Sequence, residues 1–83
     1  MKTIHYVTKG VCSRAIDIEL DGDTVCEVRF MGGCSGNTQG VAALVRGMKA
    51  ADAIQRLSGI RCGFKATSCP DQLAKALQQA LEQ

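Results

Sequence analysis

Residues 14–31 read RAIDIELDGDTVCEVRFM, and this stretch decides the fold. Its first half alternates between apolar and acidic side chains, in the order Ile16, Asp17, Ile18, Glu19 and Leu20. A period of two residues is typical of a strand that buries one face. The Asp-Gly pair at 21–22 predicts a type I′ hairpin turn, and residues 24–31 form the returning strand. We therefore expect a β-hairpin whose apolar face covers a core.

The chain on either side of the hairpin completes an α+β pattern. A first strand is predicted over residues 2–9, where β-forming side chains alternate loosely. From about Thr38 the period becomes helical, with Asn37 as the N-cap, and Gly47 interrupts this helix. The predicted apolar stripe of the helix consists of Val41, Leu44, Val45 and Met48.

Two further helices are expected after this interruption. The second helix is short and ends at Gly59, and the last helix begins at Pro70, a residue that favours the first helical position. The apolar stripe of the last helix consists of Leu73, Ala76, Leu77, Ala80 and Leu81. The predicted fold is a single α+β domain over residues 1–83, with a three-stranded antiparallel sheet followed by helices packed on one of its faces.

Length and charge exclude several classes of function. The chain has 83 residues, so it lies near the lower limit at which a core alone stabilises a domain. Its net charge of +2 and its lack of tryptophan argue against a dedicated nucleic-acid binder. The first residues have no apolar run of the kind found in signal peptides, and no stretch is long enough to span a membrane. We expect a cytoplasmic protein.

Four of the five cysteines lie in predicted loops or at a helix start, and they are the main candidates for function. They are Cys12, Cys34, Cys62 and Cys69. In a reducing compartment such cysteines bind metal or act in redox chemistry more often than they form structural disulfides. Two of them open predicted helices, where the unpaired N–H groups favour an anionic thiolate. We expect the four thiolates to bind one metal centre, either a zinc ion or an iron–sulfur cluster.

Other residues have simpler interpretations. The spacing of the four cysteines is not the paired C-x-x-C of a zinc ribbon, so four unrelated reduced thiols remain the alternative. Cys26 alternates with Val28 and Phe30 on a strand, and we expect it to pack in the core. His5 is expected to be an exposed strand residue, with a role as a replacement ligand as the alternative. The acidic residues around the hairpin are expected to form a solvated face.

The residues around the four cysteines resemble a known family. Residues 67–71 read TSCPD, the string that gives the TSCPD domain family its name. The companion segments GVCS at 10–13, GGCSGN at 32–37 and GIRCG at 59–63 are similar to those of its small stand-alone members with four cysteines. The resemblance covers essentially the whole chain. It implies cysteines that bind metal and a relationship to the C-terminal domain of cobalamin-dependent ribonucleotide reductases, so a reductase is the implied protein partner.

A second resemblance is to iron–sulfur scaffolds of the NifU and IscU type, which share the predicted order of elements. Cys12, Cys34 and Cys69 match the three cluster cysteines of the scaffold, and residues 45–49 match its helix junction. The chain departs from the scaffold in having Arg14 in place of an aspartate and a serine in place of the histidine before the last cysteine. Cys62 is an additional cysteine. This resemblance implies the alternative function of an iron–sulfur scaffold or carrier. A further alternative is an enzyme or redox carrier in which two of the thiols cycle to a disulfide.

Overall fold

The predicted α+β architecture is confirmed by the computed structural model, which describes residues 2–9, 13–32, 35–61 and 67–82. The elements are β1 (Lys2–Val7), β2 (Ser13–Asp21), β3 (Thr24–Gly32), α1 (Ser35–Val45), α2 (Ala50–Leu57) and α3 (Cys69–Glu82). The strands form one sheet in the order β1-β2-β3, and both pairings are antiparallel. Three strands are therefore followed by three helices in the described part of the chain.

The core lies between the inward face of the sheet and the helices. The apolar residues of β2 that the alternation predicts as inward are fully buried, with Ile16 and Ile18 each 0% exposed. They form one cluster with Leu73 and Leu77 of α3, which are also fully buried. Complete burial of such a side chain stabilises a fold by roughly 1.5–3 kcal/mol relative to exposure. The packing of α3 against the central strand is thus a large part of the stability of the domain.

The hairpin turn lies one residue later than predicted. Asp21 pairs with Thr24, so the two residues of the loop are Gly22 and Asp23. Gly22 has a φ of 62°, whereas no described residue other than glycine has a positive φ. A positive φ at the first loop position alone is typical of a type II′ turn, in which glycine is favoured at that position. The predicted type I′ turn at Asp21 and Gly22 is therefore wrong.

Strand β3 contains an irregularity at Cys26. Leu20 pairs with Val25 and Glu19 pairs with Glu27, so Cys26 is the extra residue of a β-bulge. The extra residue shifts the alternation of side chains along the strand. As a result Val25 is 0% exposed, although it was not on the predicted core face.

The prediction that Cys26 packs in the core is wrong, because the bulge changes the face on which this residue lies. Val28 keeps its predicted position in the core, but Cys26 is only half-buried. Cys26 lines a shallow surface pocket together with Ala43, Arg46 and Gly47. A one-residue bulge therefore moves this thiol from the core to the edge of the sheet.

The helix boundaries differ from the predicted ones mainly in α1. This helix begins at Ser35, so Asn37 lies inside it and is not its N-cap. Leu44 and Leu81 belong to the predicted apolar stripes, yet they are 78% and 45% exposed. The interruption at Gly47 is confirmed, because the N–H of Gly47 donates to the carbonyl of Val25 at 2.8 Å and so ends the helical hydrogen bonding. No helix in the described ranges has the length and apolar character that a membrane span requires.

Two glycines provide a matched test of backbone strain. Gly59 has a φ of 82°, and a Cβ added at Gly59 or at Gly40 of α1 would meet no atom within 4 Å. We expect Gly59→Ala to lower the free energy of unfolding by about 1–2 kcal/mol, because its backbone is in the left-handed region. Gly40→Ala is expected to raise it by about 0.5–1 kcal/mol, because alanine favours a helix interior. Urea unfolding of both variants measures these changes, and equal effects of the same sign would contradict the expectation.

Candidate metal centre

Of the four candidate ligands, Cys69 lies in the described part of the structure. It is the first residue of α3 and is 8% exposed. Cys12, Cys34 and Cys62 lie outside the described residues. Within residues 2–9, 13–32, 35–61 and 67–82, no three side chains of the metal-binding types cluster together. The geometry of the site can therefore be followed from Cys69 and from the described residues that precede or follow the other three cysteines.

The start of α3 is fixed by Ser68, which is its N-cap. The backbone N–H of Asp71 donates to the hydroxyl of Ser68 at 3.1 Å, and this hydroxyl donates to the carbonyl of Ile60 at 2.6 Å. The N–H of Gln72 donates to the carbonyl of Ser68 at 2.8 Å, which is the first hydrogen bond of the helix. Pro70 is therefore the second helical residue, not the first as predicted, and Cys69 takes the first position.

Asp71 connects the end of α2 to the start of α3. Its side chain is buried, with 6% of the residue exposed, and it accepts a hydrogen bond from the N–H of Gly59 at 2.7 Å and another from the hydroxyl of Thr67. Burial acts to raise the pKa of Asp71, but these hydrogen bonds and the nearby ammonium of Lys75 outweigh burial and lower the pKa below its ordinary value of 3.8. The carboxylate is therefore ionised in the neutral range.

Gln72 connects the chain after β1 to the same helical turn. It is 4% exposed, and its carbonyl oxygen accepts a hydrogen bond from the N–H of Lys9 at 3.1 Å. Its amide group donates to the hydroxyl of Thr67 at 3.0 Å. We refer to this set of interacting residues as the α3 corner: Lys9, Gly59, Ile60, Thr67, Ser68, Cys69, Asp71 and Gln72.

The roles of Asp71 and Gln72 as anchors of the α3 corner are not evident from the sequence alone. Asp71 suggested only a favourable charge in the first turn of a helix, and Gln72 gave no signal. Their partners Gly59 and Lys9 are 12 and 63 residues away along the chain, respectively. The TSCPD string itself was the available signal, because a serine followed three residues later by an acidic residue is typical of a helix N-terminus.

The α3 corner also adjoins one end of the sheet. The N–H of Thr8 donates to the carbonyl of Arg14 at 3.1 Å, which brings the segment containing Lys9 next to the first residues of β2. Ser13, the first residue of β2, pairs with Gly32, the last residue of β3. The beginning of β2 and the end of β3 are therefore neighbours on the side of the sheet that Lys9 connects to α3.

Each candidate ligand outside the described residues follows or precedes one of these anchored positions. Cys12 directly precedes Ser13 in the sequence, Cys34 is two residues after Gly32, and Cys62 is two residues after Ile60. Two residues of extended chain span at most about 7 Å. The described backbone thus brings the neighbours of Cys12, Cys34 and Cys62 to the end of the molecule where Cys69 begins α3.

His5 lies on the open face of the sheet. Its side chain is 58% exposed, and its Nδ1 atom is 2.5 Å from Oδ1 of Asp17 on the adjacent strand. This position confirms the prediction of an exposed strand residue. The open face also carries Glu19, Glu27 and Arg29, as expected for a solvated surface.

The comparisons with known proteins identify the family. The family model of the TSCPD domain matches residues 1–81. The chain therefore belongs to the TSCPD domain family. No curated protein and no solved structure matches it.

The lowered pKa of Asp71 predicts a specific dependence of stability on pH. A carboxylate whose pKa is lower in the folded state contributes stability above its unfolded pKa, and this contribution decreases as pH falls through the folded pKa. We expect Asp71→Asn to lower the free energy of unfolding by about 1–3 kcal/mol at pH 7, since it removes hydrogen bonds to a charged group. The difference from the wild type should shrink below the ordinary pKa of 3.8.

Urea unfolding at pH 7 and pH 2.5, with a chelator and a reductant in both samples, measures this difference. A wild-type advantage of the same size at both pH values would contradict an ionised and stabilising Asp71. Asp52→Asn, on an exposed position of α2, is the control and is expected to change stability little at either pH.

Proposed function

We propose that the protein is a small metal-binding domain in which Cys12, Cys34, Cys62 and Cys69 bind one zinc ion or one iron–sulfur cluster. The observation that carries this proposal is the α3 corner. Its hydrogen bonds hold Lys9, Gly59 and Ile60, which lie two or three residues before candidate ligands, against the start of the helix that Cys69 begins. The pairing of Ser13 with Gly32 places the strand end before Cys34 next to the strand start after Cys12.

The donor set fits these metal centres chemically. Soft thiolate ligands select zinc and iron–sulfur clusters over hard cations such as magnesium. Four protein thiolates around one zinc ion form a closed structural site, in which no position is left for a substrate. Formation of four thiolates and binding of one divalent ion would bring the net charge of the chain from +2 to near zero. A structural or accessory role agrees better with such a site than catalysis by the metal.

The partner that we propose is a ribonucleotide reductase. This proposal rests on membership of the TSCPD family and on the relationship to the C-terminal domain of cobalamin-dependent ribonucleotide reductases that the resemblance implies. A small domain with a closed thiolate site is suited to act as an accessory module, and the cytoplasm is the compartment in which such thiols stay reduced.

A second candidate function is that of an iron–sulfur scaffold or a thiol redox carrier. It is favoured by the position of Cys69 at the first residue of the last helix, which is where such scaffolds carry a cluster cysteine. A scaffold must release its cluster, whereas four thiolates favour retention of the metal. The fourth candidate ligand, Cys62, therefore distinguishes the two functions.

Metal analysis of protein purified without oxygen tests the proposed function. We expect about one zinc ion per chain and a colourless protein, or a brown protein with iron and acid-labile sulfide. Alanine replacements of Cys12, Cys34, Cys62 and Cys69 should each strongly reduce the bound metal, because each removes one ligand.

Cys26→Ala is the matched control, since it makes the same chemical change at a half-buried cysteine on the bulge of β3. It should leave the metal content unchanged. Equal loss of metal in this variant and in Cys69→Ala would mean that the ligand assignment is wrong. A metal-free wild type with thiols that oxidise reversibly would favour the redox carrier instead, and retention of the metal without Cys62 would favour the scaffold with three cysteines.

Removal of the metal should also lower the melting temperature. The binding free energy of a metal contributes to folding when the unfolded chain has no formed site. We therefore expect a strong chelator to shift the thermal transition, followed by circular dichroism, to lower temperature. Re-addition of zinc should restore it. An unchanged transition after verified removal of the metal would place the bound metal outside the folding equilibrium.

A further inference from the structure

Two consecutive residues of α3, Asp71 and Gln72, contact two different chain segments that lead to cysteines. Gln72 accepts the N–H of Lys9 at 3.1 Å, three residues before Cys12. Asp71 accepts the N–H of Gly59 at 2.7 Å, three residues before Cys62. Both side chains lie on the helical turn that Cys69 begins.

Burial distinguishes these contacts from ordinary surface hydrogen bonds. Asp71 is 6% exposed and Gln72 is 4% exposed. Within the described residues, no buried side-chain nitrogen or oxygen is left without a hydrogen-bond partner. Loss of one partner in such a network leaves a buried polar group unsatisfied, which costs about 1–3 kcal/mol. Lys9 and Gly59 are thus held at defined positions.

Thr67 joins the two contacts into one network. Its hydroxyl donates to the carboxylate of Asp71 and accepts from the amide of Gln72 at 3.0 Å. A displacement of the chain at Gly59 therefore affects the position of Lys9 through two buried side chains and one hydroxyl. This coupling acts at the residues that lead to Cys12 and Cys62.

We propose that Asp71 and Gln72 are positioning residues of the metal site, which hold the segments before Cys62 and Cys12 at the distance from Cys69 that a shared metal requires. This inference rests on the proposed function, because it assumes that the cysteines bind one metal. Metal sites depend strongly on such supporting contacts. Loss of a hydrogen bond that orients a metal ligand typically lowers metal affinity 10- to 100-fold, and we expect an effect of this order for contacts that position the chain leading to a ligand.

The test is a titration of the reduced, metal-free full-length protein with zinc in competition with a chromophoric chelator, and a parallel titration with cobalt(II). The variants are Asp71→Asn and Gln72→Leu. Gln79→Leu is the matched control, because it makes the same change at an exposed glutamine of the same helix. Leu77→Ala is the control for general destabilisation, since it creates a cavity in the core below the same helix.

We expect Asp71→Asn and Gln72→Leu to weaken zinc binding 10- to 100-fold, at a temperature where circular dichroism shows all variants folded. Gln79→Leu should bind as the wild type does. Leu77→Ala should have the lower melting temperature but retain most of its zinc affinity. The cobalt complex of Gln72→Leu should also have a weaker sulfur-to-metal absorption band than the wild type, because the segment before Cys12 is no longer held and one thiolate is lost from the tetrahedral set.

Zinc binding by Asp71→Asn and Gln72→Leu within about twofold of the wild type would overturn the positioning role, since supporting contacts are typically worth 10- to 100-fold. Equal weakening in Leu77→Ala would overturn it as well, because loss of stability alone would then explain the effect. If Asp71→Asn does not fold, Gln72→Leu decides the question, because it leaves the contact of Asp71 with Gly59 in place. A wild type that binds neither zinc nor cobalt(II), or that binds zinc equally well without Cys69, would overturn this inference together with the proposed zinc site.

Discussion

The hydrogen bonding of the buried Asp71 carboxylate is the interaction on which the structure of the α3 corner depends. A charge removed from water is costly unless hydrogen bonds and opposite charges replace its hydration. Here the N–H of Gly59, the hydroxyl of Thr67 and the ammonium of Lys75 replace it. Lys75 is 53% exposed and contributes little through its charge, so the two hydrogen bonds are the main compensation. Gly59 and Thr67 are therefore held at defined positions against the first turn of α3.

The TSCPD string therefore contains residues with a structural role and one cysteine with a candidate role in metal binding. Ser68 caps α3, and Thr67 and Asp71 connect it to the end of α2. None of these three side chains is a soft ligand, whereas the thiol of Cys69 is. The first position of a helix does not require a cysteine, because the Ser68 N-cap already accepts a hydrogen bond from a free N–H group of the first turn. Burial of Cys69 also suits a packing residue, and for this reason metal content in Cys69→Ala is the decisive measurement.

The sequence was sufficient for elements with strong periodicity and insufficient where a single residue changes the phase. The alternation in β2 correctly predicted that Ile16, Ile18 and Leu20 are buried. In β3, Val25 and Cys26 are adjacent apolar residues, and either could face inward. The bulge selects Val25. In α1 the apolar stripe includes Leu44, which is exposed because this helix packs mainly on β3, an edge strand. Periodicity predicts which face of a helix is apolar, but it does not predict how much of that face the neighbouring elements cover.

The sequence predicted the candidate ligands by their residue type. It did not predict the hydrogen-bond network of the α3 corner, because Gln72 and Lys9 are too far apart in sequence for a local pattern to pair them. The network has a consequence for folding. Small zinc domains without a core of their own unfold when the metal is removed. This chain has fully buried Ile16, Ile18 and Leu77, and hydrogen bonds within the protein hold Lys9 and Gly59 against α3. A metal bound at the α3 corner would therefore add to a fold that already exists, so its removal should lower the melting temperature without abolishing the fold.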